Sequence, residues 1–103
     1  MDLFTNLIDS LNEHLPQPSI EVIDNIRTYI EKWGTDGRLI ITSSDPKEVH
    51  AFLYNMQDFP DADFISWHCK ITNVAKIKDA VAVITEMRDG AVQDGAKVIK
   101  FAI

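Results

Sequence analysis

Cysteine is almost absent from this chain, with only Cys69 among 103 residues. An internal disulfide is thereby excluded, and a single thiol on an expected strand reads as a reduced, buried residue of a cytoplasmic protein. Glycine is nearly as scarce, with 4 in all. None belongs to a Gly-rich loop, a GxGxxG turn or a Walker pattern, so the common phosphate-cradling signatures are missing. No apolar run approaches the roughly 18–20 residues of a membrane-spanning helix, and Met1-Asp2-Leu3-Phe4 lacks the basic region of a secretory signal. Positive charge is also short. Ten Lys and Arg stand against 16 Asp and Glu, a net of -6. Direct nucleic-acid binding is therefore not expected, because phosphate contacts need a basic face.

Catalytic and metal signatures are equally sparse. There is no G-x-S-x-G nucleophile elbow and no arrangement of carboxylates that implies acid–base work in a cleft. His14, His50, His68 and Cys69 show none of the paired spacings of a zinc site. His68 and Cys69 are neighbours on an expected strand, so they point to opposite faces; a Cys–His nucleophile would need His14 or His50 instead. Asp58, Asp61 and Asp63 lack the glycine and final glutamate of a calcium loop. No enzyme, metal or cofactor is expected.

What the chain does have is apolar content, 46%, enough for one domain spanning residues 1–103. Its organising stretch reads strand–helix–strand. From Ile65 to Ile71, period-two alternation places Ile65, Trp67, Cys69 and Ile71 on one face. Asn73 suits a cap, and Val74, Ile77, Val81, Ile84 and Met87 form a helical stripe through Arg88. Gly90 suits the helix C-cap, Asp94-Gly95 a turn, and Lys97–Ile103 a strand with Ile99, Phe101 and Ile103 inward. Loss of the last four residues should then be badly tolerated.

Upstream, Asp2 caps a helix with Leu3, Phe4, Leu7, Ile8, Leu11 and Leu15 on its apolar face, ended by Pro16 and Pro18. A second helix is expected from Ser19 to Trp33, burying Val22, Ile23, Ile26, Tyr29, Ile30 and Trp33. Residues 1–34 thus read as a helical hairpin. Arg38–Thr42 is a short apolar strand, and Asp45-Pro46-Lys47-Glu48 resembles a capping box opening a helix to Met56. The order predicts an α/β fold: a helical hairpin, then β-α-β-α-β over 38–103 with a three-stranded, mainly parallel sheet. A ferredoxin-like α+β arrangement is the alternative.

Val83-Ile84-Thr85-Glu86-Met87-Arg88 through Gly95-Ala96-Lys97-Val98-Ile99 resembles the last helix and strand of barstar-type ribonuclease inhibitors. Those are small acidic proteins with a three-stranded parallel sheet. The resemblance covers about the last third of the chain; the acidic helix after that family's first strand has no counterpart in Pro46–Met56, and no residue carries over.

The acid surplus is uneven. Residues 1–36 carry seven acids against Arg27 and Lys32, and residues 43–63 carry five against Lys47. Such a surface can steer association with a basic protein. The expected function is a protein-binding module: an inhibitor, immunity protein or phage-type antagonist masking a basic surface, including that of a nucleic-acid-binding protein. Asp58, Phe59, Asp61 and Asp63 form one expected contact patch, an aromatic rimmed by carboxylates. Glu21, Asp24 and Glu31 form a second. The alternative is a small-molecule or enzymatic site at a strand end near Ser43, Ser44 and His68. A homodimer through the helical hairpin stays open.

Overall fold

The computed structural model describes residues 2–11, 22–23, 26–55 and 65–102. Helix α1 (Leu3–Leu11) is followed by strands β1 (Val22–Ile23), β2 (Ile26–Trp33), β3 (Gly37–Asp45), β4 (Glu48–Asn55) and β5 (Ile65–Ile71). A 3-10 turn (Val74–Lys76) then leads into helix α2 (Ile77–Gln93), and β6 (Val98–Ala102) completes the sheet. Every strand pairing is antiparallel. The strands β2 to β5 form a meander in sequence order, while β1 and β6 both pair with β2 on its other side. This overturns the expected three-stranded, mainly parallel sheet with a helical hairpin, and with it the architecture implied by the barstar resemblance.

The geometry of α2 explains the topology. Its 17 residues measure about 25 Å along the axis. The four strand spacings from β5 back to β6 amount to about 19 Å. One helix is therefore long enough to recross the whole sheet. It packs with α1 on one face, where Leu3, Phe4, Leu7, Ile8 and Leu11 meet Leu39, Ile41, Val49, Ala51 and Ile71, with Ile77, Ala80 and Ile84 from α2.

Two expected helices are strands. The stretch Ile26–Trp33 matches helical spacing, yet it is rich in β-branched and aromatic residues that favour a pleated surface. Its inward positions are Tyr29, Glu31 and Trp33, all buried. Two of the residues on its inner side, Arg27 and Glu31, are charged, and this hid the alternation. Gly34 at φ +69° turns the chain into β3, and its N–H donates to the Lys97 carbonyl at 2.8 Å. At Asp45-Pro46-Lys47-Glu48 the expected capping box is instead a two-residue hairpin turn, with Asp45 paired to Glu48. The Asp45 carboxylate accepts the Lys47 N–H at 2.8 Å, and proline suits the first corner of such a turn. Aspartate, proline and glutamate serve both motifs.

The remaining elements keep close to expectation. Asp2 caps α1, accepting the Phe4 N–H at 3.2 Å and the Thr5 hydroxyl at 2.8 Å. Asn73 accepts the Ala75 N–H at 2.9 Å. Gly90 is inside α2 rather than beyond it; Gly95, at φ +93°, takes the left-handed position. In β6 the expected inward Ile99 is exposed, whereas Val98 packs against the core. Cys69 is a half-buried free thiol whose pKa burial pushes up. Among the described residues, no helix is long and apolar enough to cross a membrane.

Two ion pairs lock the layers together. Glu31 is fully buried yet saturated: it accepts the Tyr29 hydroxyl at 2.7 Å, the Trp33 indole N–H at 2.8 Å and both Nε and Nη2 of Arg88. Arg88 also donates to the Leu11 carbonyl at 3.1 Å, binding the end of α1 to α2 and β2. The second pair is Arg27 with Asp2. Its guanidinium lies over the Phe4 ring, 4.7 Å from the centroid, and its Nη2 is 2.7 Å from Asp2 Oδ1.

Three outcomes follow from these contacts. Arg88→Met leaves a carboxylate buried without its cation and should cost about 3–5 kcal/mol in urea unfolding, with part of the loss recovered by adding Glu31→Gln. Gly90→Ala places a Cβ where nothing stands within 4 Å, so it should stabilise the protein by about 0.5–1 kcal/mol. The Arg27 hydrogen bond lowers the Asp2 pKa from 3.8 to about 2. A depressed carboxylate stabilises above its unfolded value and loses that contribution as pH falls through the folded one. The stability difference between the parent and Asp2→Asn, which keeps a capping oxygen, should therefore be full above about pH 4 and vanish near pH 2.

Candidate functional site

Antiparallel register sends alternate side chains to opposite faces. With the odd positions of β2, β3 and β4 turned toward the helices, the even positions form the other face of the sheet. There β2 contributes Thr28, Ile30 and Lys32, β3 contributes Arg38, Ile40 and Thr42, and β4 contributes Glu48, His50, Phe52 and Tyr54. From β5 come His68 and Lys70, and a register shift between Leu53 and Tyr54 turns Ile65 out as well. None of these side chains is buried.

At the β4–β5 half of this face the rings form a continuous ladder. His68 stacks on Phe52 with centroids 4.6 Å apart and planes 11° from parallel. Phe52 in turn lies 6.0 Å from Tyr54, tilted by 37°. His50 is nearly coplanar with His68, their centroids 5.5 Å apart. Register explains these contacts: Phe52 and His68 are direct cross-strand partners, and His50 reaches His68 on the diagonal. His50 Nδ1 lies 3.2 Å from His68 Nε2, and His50 Nε2 lies 2.7 Å from Glu48 Oε1. Lys70 Nζ stands 3.5 Å from the same carboxylate oxygen. The His50 hydrogen bond, then the Lys70 charge, hold the Glu48 carboxyl below its ordinary pKa.

A carboxylate only accepts, so His50 Nε2 carries a proton, and in the neutral imidazole Nδ1 is then the lone pair that faces His68 Nε2. This carboxylate–imidazole chain resembles half of a catalytic triad, but among the described residues no nucleophile is hydrogen-bonded to either imidazole. Cys69 belongs to the opposite face. Ser43 is buried there too, its hydroxyl 2.8 and 2.9 Å from the Asp45 and Glu48 carbonyls and 3.4 Å from Arg27 Nη2. Ser44 is exposed. The structure thus separates Ser43 from His68, which the small-molecule reading had placed together. Among the described residues, none of the clefts found is lined by the two histidines of the ladder. A cavity of about 490 Å³ is bordered by Asn6, Asp9, Val74 and Lys78, and one of about 560 Å³ lies at the β2–β3 turn; neither includes either histidine.

Of the expected partner-binding residues, Glu31 is not on an outer face but is the buried partner of Arg88. Asp58, Phe59, Asp61, Asp63, Glu21 and Asp24 lie outside the described residues, as do Leu15, His14 and the proline link. The ladder does have a signal in the sequence, since Glu48-x-His50-x-Phe52-x-Tyr54 alternates strictly, but the expected helix over the same residues masks it. Comparison with protein-family models, with curated proteins and with solved structures finds no match to this chain.

Proposed function

We propose that this protein is a non-catalytic binding module that docks a partner protein on the open face of its sheet. The observation that carries the reading is the half-exposed ladder of His50, His68, Phe52 and Tyr54. Aromatic residues and arginine are the types enriched where protein interfaces are most buried, and Arg38 with Ile40 extends the ladder along β3. A flat, rigid sheet face offers such groups at low entropic cost, since the strands already hold the rings in place.

Charge refines the partner. The outward strand positions carry Lys32, Arg38 and Lys70 against Glu48, while the exposed side of α2 carries Asp79, Glu86 and Asp89 against Lys78. Among the described residues acidic and basic side chains balance, ten of each, and the sheet face, with more cations than carboxylates, suits a partner whose contact patch is apolar with acidic groups around it. The six acids that make up the net charge, Glu13, Glu21, Asp24, Asp58, Asp61 and Asp63, lie outside the described residues. Use as an inhibitor or immunity-type antagonist, covering a partner's working surface, is compatible with such a face.

The test is capture from a host lysate at low salt with the parent and with Phe52→Ala/Tyr54→Ala, both checked by circular dichroism. The parent should retain a protein that the double variant releases, with affinity reduced at least about thirtyfold, the equivalent of one hot-spot residue. Retention of the same protein by the variant overturns the reading. So does material that nuclease removes, since stacked aromatics beside lysines also suit single-stranded nucleic acid.

A further inference from the structure

We propose that His50 and His68 form a two-imidazole site for a borderline divalent metal ion such as zinc, with Glu48 as the positioning residue behind His50. Three observations meet at this corner of the sheet. The two ring nitrogens that face each other, His50 Nδ1 and His68 Nε2, are 3.2 Å apart. Zinc binds imidazole nitrogen at about 2.0–2.1 Å, so two such nitrogens on one edge of a tetrahedron stand about 3.3 Å apart. The spacing already present therefore fits a metal with almost no movement of the strands.

The second observation is the tautomer. Glu48 accepts from His50 Nε2 at 2.7 Å, which leaves Nδ1 as the lone pair and raises its basicity, the outer-shell arrangement that metal-bound histidines use. His68 has to move its proton from Nε2 to Nδ1, an exchange that water can mediate because the ring is exposed. The third is access. The site is on the open face, so water completes the coordination shell. Lys70, 3.5 Å from Glu48, adds a repulsive charge, and Lys70→Ala should tighten binding.

Donor chemistry sets the selectivity: two imidazoles suit zinc, copper and nickel, whereas calcium and magnesium seek oxygen. Cys69 takes no part, being on the other face. The site is independent of the partner reading, since a face that binds no protein can still hold the ion.

Titration of the whole protein with zinc chloride, followed through the imidazole nitrogens by NMR, should move His50 and His68 together and saturate at one equivalent. His50→Ala and His68→Ala, each first shown to melt cooperatively, should weaken zinc binding at least about tenfold, and Glu48→Gln by about tenfold. His14→Ala should bind as the parent does. Zinc that shifts neither ring, or only one, overturns the proposal, as does an affinity unchanged in both histidine variants. Equal displacement by magnesium would place the ion on carboxylates elsewhere and overturn it too.

Discussion

The buried carboxylate of Glu31 is the constraint on which the rest of the structure depends. A charge taken out of water is tolerated only when paired and saturated with hydrogen bonds. Here two donors come from its own strand, through Tyr29 and Trp33, and the cation comes from Arg88, 57 positions further along. Arg88 spends a further donor on the Leu11 carbonyl. One polar knot thus fixes the distance and rotation of both helices against the central part of the sheet. Hydrophobic contact alone, being non-directional, would hold the helices down without setting that rotation.

With both helices committed to one face, the other face is left to the alternate side chains of the strands. This division of labour is why the candidate site is there. The helical side provides stability through Phe4, Ile41, Ile84 and their neighbours. The opposite side carries residues that contribute little to the core, namely the rings and cations of β2 to β5. Recognition chemistry and packing chemistry alternate along the same strands, one residue apart.

Much of the molecule was legible in the sequence, and the parts that were not share one cause. Helix α1, strand β5 and helix α2 have one clearly apolar face and local caps in Asp2 and Asn73, so periodicity and capping chemistry found them. Strand β6 was legible as an element but not in its phase, since Ile99 is exposed and Val98 packs on the core. Strands β2 and β4 have apolar or aromatic residues on both faces. In β4, Val49, Ala51 and Leu53 point in while Phe52 and Tyr54 point out, and the combined pattern mimics a helical stripe. In β2 the inward face holds Arg27 and Glu31, whose partners are remote in sequence. Glu31 reads locally as an outward acid because its neutralising arginine, Arg88, is invisible to any local pattern. The histidine pair was hidden in the same way, since residues 50 and 68 become neighbours only once β4 and β5 are in register.

The placement of β6 beside β2 has a kinetic meaning. Strands β2 to β5 can assemble from successive hairpins with small loop-closure cost. A sheet formed that far would hold the Glu31 carboxylate against apolar neighbours with no guanidinium at hand. Water has to remain there until α2 swings across and delivers Arg88. The meander therefore gains little by drying out early, and closure of the crossover, expulsion of that water and docking of the last strand are coupled into a single cooperative event.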